Sequence, residues 1–206
     1  EEIHLSGTLE DKFPKDLKLS LISVEIPTHS AIQRYFPAVI KPLTGLITTD
    51  LEIQKNNKGK IPTLNPIAYN IKGSLSIQEG LLQNQPFDLI AASFQWNGDQ
   101  LTIGSSQYHH QSSDIFLTGV VNAKKKLDLT VADGTFIDLK DFQILTSPLG
   151  RLAGQWKVQG KIKGDIADPA INVWIKGENV KSNFLFLDQI EGQLDWAQNC
   201  LRLGTI

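Results

Sequence analysis

Apolar and polar residues alternate with period two over most of this 206-residue chain. That is the pattern of strands with one face turned inward and the other to water. Lys161-Ile162-Lys163-Gly164-Asp165-Ile166 is a clean instance, and Trp156 and Val158 lie on the phase of Ile162. Ile171, Val173 and Ile175 alternate with Asn172, Trp174 and Lys176. Ile190, Leu194 and Trp196 stand opposite the polar Gln189, Glu191, Gln193 and Asp195. Leu17, Leu19 and Leu21 alternate with Lys18 and Ser20, and the apolar phase then slips by one to Ile22, Val24 and Ile26. That slip predicts a bulge or bend. Asn97-Gly98-Asp99, Ala132-Asp133-Gly134 and Ala167-Asp168-Pro169 punctuate the runs as turns, and about fourteen strands are expected. Two places favour a short helix: Thr28-His29-Ser30 as a cap leading through Ile32, Tyr35 and Phe36 towards Pro37, and Asp138 to Leu145 with Asp138 as N-cap.

The chain also repeats itself. Phe94-Gln95-Trp96-Asn97 followed by Leu101-Thr102-Ile103-Gly104 answers to Leu194-Asp195-Trp196-Ala197 followed by Leu201-Arg202-Leu203-Gly204, an offset of 196 − 96 = 100. Ile3-His4-Leu5-Ser6-Gly7 resembles Ile115-Phe116-Leu117-Thr118-Gly119, an offset of 115 − 3 = 112. Between these, Leu17/Leu19/Leu21 matches Leu127/Leu129/Val131, Leu43-Thr44-Gly45 matches Leu152-Ala153-Gly154, and Ile71-Lys72-Gly73 matches Ile175-Lys176-Gly177. The shrinking offset means that the second copy has lost residues, one loss falling across the polar stretch 54–60. The reading is two repeat units, 1–112 and 113–206, in one continuous elongated sheet that is a slice of a longer protein.

Composition narrows the function classes. The formal net charge is −2, and of twenty basic residues only Arg34, Arg151 and Arg202 are arginines, which argues against nucleic-acid binding. Lys124-Lys125-Lys126 reads as a turn that blunts a strand edge. Cys200 is the single cysteine, so no disulfide framework is expected, and no apolar run approaches the ~20 residues of a membrane helix. His109 and His110 are neighbours on a strand and point to opposite faces, so they read as surface histidines and not as metal ligands. Asp165 and Asp168 read as turn formers, and no nucleophile elbow, zinc motif or phosphate loop is present. Neither an enzyme nor a cofactor or metal site is expected. Four scattered tryptophans do not make a carbohydrate-binding surface.

With so little helix, the apolar faces must meet another sheet, their own curled continuation or a ligand. The order of elements resembles the repeats of the TamB family of AsmA-like envelope proteins: strand, short helix, Leu-x-Gly, Gly-rich alternating strands, Asp-Pro, Ile-x-Val-x-Ile and a Leu-x-Leu-Gly close. Gly154 to Ile171 carries it best, and in the first copy Lys55 to Leu64 replaces the tight Gly-Asp-Ile-Ala-Asp-Pro passage. The resemblance implies an all-β fold, a long curled antiparallel or mixed sheet (a β-taco half-pipe) with a hydrophobic concave groove and two short helices. It also implies an envelope-spanning scaffold that conducts phospholipids between membranes or shields clients during outer-membrane protein assembly. The implied partners are phospholipid acyl chains, unfolded β-strand clients and, in the full-length protein, an outer-membrane barrel of the Omp85 type. The implied place is the periplasm or intermembrane space, anchored through a segment outside this chain, with the chloroplast envelope as the other setting.

The residues expected to line such a groove are Leu17, Leu19, Ile103, Leu117, Leu127, Leu129, Val158, Ile162, Val173, Ile175, Leu194 and Leu203. Trp96 and Trp196 would stand at its rim or fill its floor. The same residues would equally form the closed core of a sandwich, and the alternative function is then a structural or adhesive β-array with no transport role.

Overall fold

The computed structural model describes residues 2–10, 13–26, 43–55, 69–82, 85–142, 146–147, 150–151, 153–182, 186–198 and 200–204. The alternating pattern is realised as strand almost throughout. The strands are β1 (Glu2–Glu10), β2 (Phe13–Ile26), β3 (Gly45–Lys55), β4 (Tyr69–Leu82), β5 (Gln85–Trp96), β6 (Gln100–His110), β7 (Ser113–Asn122) and β8 (Lys126–Val131). They continue with β9 (Phe136–Asp138), β10 (Thr146–Ser147), β11 (Gly150–Arg151), β12 (Ala153–Asp165), β13 (Asp168–Lys181), β14 (Phe186–Ala197) and β15 (Cys200–Gly204). The protein is all-β and its sheet is antiparallel. Contacts divide it into two units, Glu1–Ser106 and Gln107–Ile206, with the division inside β6.

In the first unit the strand order is β1-β2-β3-β4-β5-β6. The register places Leu5 opposite Leu19, Leu19 opposite Leu51, Leu51 opposite Gly73 and Gly73 opposite Phe94, so one face is apolar across the ladder. The slip expected after Leu21 is present as a register shift between Leu21 and Val24. In the second unit the order is β7-β8-β12-β13-β14-β15, with β9 pairing β7 and β12. Leu129, Ile162, Ile171 and Trp196 follow one another across four strands, as do Val131, Gly160, Val173 and Leu194.

The ladders give a sharper comparison of the two copies than the sequence does. Ile71 pairs with Trp96 and Ile171 with Trp196, so the offset of 100 already holds in β4 and β13. Glu79 and Asn179 both take the left-handed conformation, each with φ of 51°, at the same bulge in the two copies. Ile71-Lys72-Gly73 is therefore equivalent to Ile171-Asn172-Val173, not to Ile175-Lys176-Gly177. Likewise Leu17 faces Ile53 as Leu129 faces Ile162, which sets the offset there at 129 − 17 = 112 and pairs Leu17/Leu19 with Leu129/Val131. Gly45 and Gly154 share φ of 138°, as their matched positions require. One strand of the first unit, β2 with its bulge, becomes two in the second, β8 and β9, separated by the turn at Asp133-Gly134.

Of the two expected helices, the one at 28–36 lies outside the described residues. The other is corrected: Asp138 caps a single 3-10 turn, Leu139–Asp141, through a bond from Lys140 N–H to its carboxylate (3.1 Å). The helical spacing of Leu139 and Phe142 is overridden by a polar lock. Asp141 Oδ2 accepts from Ser112 N–H (3.1 Å), Ser112 Oγ–H (3.0 Å) and Ser113 Oγ–H (2.7 Å), while Ser113 Oγ accepts from Asp138 N–H (2.9 Å). Ser113, Asp138 and Asp141 are buried, so these bonds tie the β6–β7 turn to the segment after β9 and leave it no freedom to wind further.

Gly160 shows how tightly the ladder is built. It lies between Val131 and Val173 with φ of 152°, and a Cβ there would collide with the Asn172 carbonyl and stand 2.6 Å from Val173 Cα. Gly160→Ala should lower the midpoint of denaturant unfolding by an amount corresponding to about 1–3 kcal/mol. Gly104→Ala, which meets the Ser93 hydroxyl at 2.9 Å and the Ser93 carbonyl oxygen at 3.8 Å, should stay within about 0.5 kcal/mol of wild type.

Candidate functional site

In the second unit the apolar face gathers around Val131, Val173 and Ile175, exposed by 7, 6 and 9%. Leu117, Trp156, Val158, Ile162, Ile171 and Leu194 pack against them. Six of the twelve residues expected from sequence thus meet in one cluster: Leu117, Val158, Ile162, Val173, Ile175 and Leu194. Leu127 and Leu129 share the face by register and are half-buried. Leu203 is paired opposite Leu194, and its side chain lies outside the described ones. Small residues oppose large ones: Gly177 lies between Trp156 and Ile190, and Gly192 faces Ile175. Among the described residues the buried Trp156 indole N–H has no hydrogen-bond partner.

In the first unit Leu17 and Leu19 lie half-buried opposite Ile53 and Leu51. Ile103 is half-buried between the exposed Thr102 and Gly104, the alternation of a strand with one face inward. Ile3 and Leu5, at the β1 edge, are each 66% exposed. Ile71, Leu75, Ile77 and Phe94 complete the face; sequence reasoning passed over them although they carry the same alternation. Trp96 and Trp196 stand on the apolar faces beside the turns that end β5 and β14, partly exposed.

Within each unit, and among the described residues, substantial strand packing is between ladder neighbours, and the 3-10 turn is the one further element that rests on β12.

The opposite faces are polar and shallowly hollowed, as the saddle of a twisted sheet allows. In the first unit a depression of about 760 Å³ spans from His4 and Ser6 to Thr102. At its centre Glu52 bonds Lys72 Nζ (2.6 Å) and Lys18 Nζ (3.2 Å), and the Lys72 bond first, then that of Lys18, holds its carboxyl below the ordinary 4.5. In the second unit two depressions, about 460 and 470 Å³, meet at Trp174.

The turn chemistry is as read from the sequence. Asn97 Oδ1 accepts from Asp99 and Gln100 N–H, and Asn122 Oδ1 from Lys124 and Lys126 N–H, which places the lysine run in the β7–β8 turn. Asp165 Oδ1 accepts from Ala167 N–H (3.2 Å), and that bond, with Lys126 Nζ at 3.3 Å, depresses its pKa. The histidine pair requires a correction. His109 is bonded to Asp114 (3.0 Å) near the surface, but His110 is buried, edge-on to Phe142. The 3-10 turn delivers that ring, and the sequence gives no sign of it. Among the described residues no three metal-ligating side chains converge.

No protein family, curated protein or solved structure matches this chain.

The Glu52 bridge has a defined pH signature. Its folded pKa is lowered, so its stabilising contribution is present above 4.5 and is lost as pH falls through the depressed value. The stability advantage of wild type over Glu52→Gln should shrink on acidification from neutrality to below pH 4.5, read as converging denaturant midpoints.

Proposed function

We propose that the protein is a scaffold whose apolar sheet faces hold hydrocarbon: phospholipid acyl chains in transit between membranes, or unfolded β-strand clients during outer-membrane protein assembly. One observation carries this reading: the apolar faces of both units keep Leu, Ile and Val side chains, Leu17, Leu19, Leu129 and Ile162 among them, only half-buried. Shielding an acyl chain there is worth about 0.8 kcal/mol per CH₂. Branched aliphatic residues repeated along a ladder present many sites of similar energy, so a chain can slide without a deep well. No catalytic step, cofactor or energy-coupling motif is required. The full-length protein would then work in the periplasm or intermembrane space, or in a chloroplast envelope, and meet an Omp85-type barrel at the outer membrane.

A second reading, a structural or adhesive array closed on itself, is favoured by the burial of Val131, Val173 and Ile175 below a tenth of their surface.

The test is direct. Protein purified without detergent should release phospholipid on solvent extraction, and the stripped protein should bind a phospholipid carrying an environment-sensitive fluorophore on its acyl chain. Leu129→Arg and Ile162→Arg should abolish that binding while the circular dichroism spectrum stays that of wild type. Unfolding of both variants, with no lipid bound by wild type, would establish the closed core, because a lone charge in a sealed interior is too costly to retain.

A further inference from the structure

The two copies keep the same apolar face and differ sharply on the polar one. Their ladders align Thr48, Asp50 and Glu52 of β3 with Lys157, Gln159 and Lys161 of β12. They align Lys72, Ser74 and Ser76 of β4 with Asn172, Trp174 and Lys176 of β13. The first set holds one lysine and two carboxylates, net −1; the second holds three lysines and no carboxylate, net +3, which Asp133 in the lining of the depressions beside it reduces to +2. In the first unit Glu52 forms ion pairs with both lysines beside it, and at its place the second unit has Lys161.

Lys157 and Lys176 are directly opposed across the ladder, a like-charge placement that ordinarily destabilises a sheet. Glu191 is opposite Lys176 on β14, yet none of Lys157, Lys161 and Lys176 forms an ion pair among the described residues. Trp174 stands between these lysines, partly exposed on the polar face, whereas Trp156 and Trp196 of the same unit are on the apolar one. Two depressions share Trp174, Gln159 and Asp133; one extends to Lys161 and Asn172, the other to Lys157, Lys176 and Phe136. From Lys157 to Lys161 along β12 the hollow runs about 13 Å, at about 3.3 Å per residue. That is a furrow longer than one sugar ring.

We infer that the polar face of the second unit is a binding furrow for an anionic oligosaccharide. Trp174 offers its ring to the apolar face of a sugar, Gln159 and Asn172 offer amides to hydroxyls, and the three lysines meet carboxylates or phosphates along the chain. Asn172 and Gln193 both donate to the Asp195 carboxylate, which holds the amides in place at one end. A bound polyanion would also relieve the repulsion between Lys157 and Lys176. The furrow lies on the face opposite the hydrocarbon-holding one, so it stands or falls independently of that reading.

The test is calorimetric titration of the purified chain with trigalacturonate, with neutral maltotriose and with phosphatidylglycerol vesicles. Trigalacturonate should bind saturably and at least tenfold more tightly than maltotriose, and should weaken as salt is added. Lys157→Gln with Lys176→Gln, and separately Trp174→Ala, should each weaken it at least tenfold, with unfolding midpoints confirming that the variants are folded. Lys72→Gln in the first unit should leave it unchanged. Absence of saturable trigalacturonate binding to wild type, equal affinity in the folded lysine variant, or binding of vesicles but not the saccharide would each overturn the assignment.

Discussion

Cross-strand register is the constraint on which the rest of this structure depends. Side chains on a strand alternate with period two, so a one-residue slip of any strand would carry its leucines and isoleucines to the wet face. The ladders prevent it by stacking apolar on apolar through four strands at a time, from Leu129 to Trp196 and from Val131 to Leu194. Hydrogen bonds satisfy the backbone along the ladder, and lateral contacts between neighbouring side chains supply the burial. Glycines at Gly160, Gly177 and Gly192 make room for the bulky partners across from them. The polar lock at Asp141 works in the same direction, since it anchors the β6–β7 turn from which the second ladder begins.

The two units show which parts of such a design are held and which are free. Apolar positions match between the copies, and so do special backbone conformations, the bulges at Glu79 and Asn179 and the glycines Gly45 and Gly154. The polar positions of β3 and β4 do not match those of β12 and β13. A solvated face needs only solubility from its residues, so charge there can be rewritten without disturbing the ladder. The ion-paired Lys18–Glu52–Lys72 bridge of one copy and the lysines around Trp174 in the other, without an ion pair among the described residues, are two outcomes of that freedom. On the proposed readings, faces opposite in character serve different ligands, hydrocarbon on one side and a hydrated anion on the other.

Much of this was legible in the residues. Alternation gave the strands, the Asn and Asp turns fell where the hairpins are, and the slip after Leu21 marked a real irregularity. The expected helix at Asp138 did not survive as one, because Leu139 and Phe142 have helical spacing while Asp138 and Asp141 are spent on partners 25 to 29 residues away. His110 was misplaced for the same reason: its cover, Phe142, comes from a distant segment. The repeat itself was visible, but two of its matched strands were shifted, by two and by four residues, since Leu-x-Leu and Ile-Lys-Gly look alike at several registers.

The sequence alone determined that this protein is a β-sheet with one oily side, built twice, because period two is local and each strand carries it unaided. It also put Val158 with Ile162, and Val173 with Ile175, on one side of their own strands. Only the tertiary structure decided which residue of one strand meets which of the next. Pairing partners are set by bulges, turns and close backbone approach at glycines, and none of these can be read from a single strand. That pairing placed Trp174 among three lysines and set Glu52 between two, and it distinguishes one copy from the other.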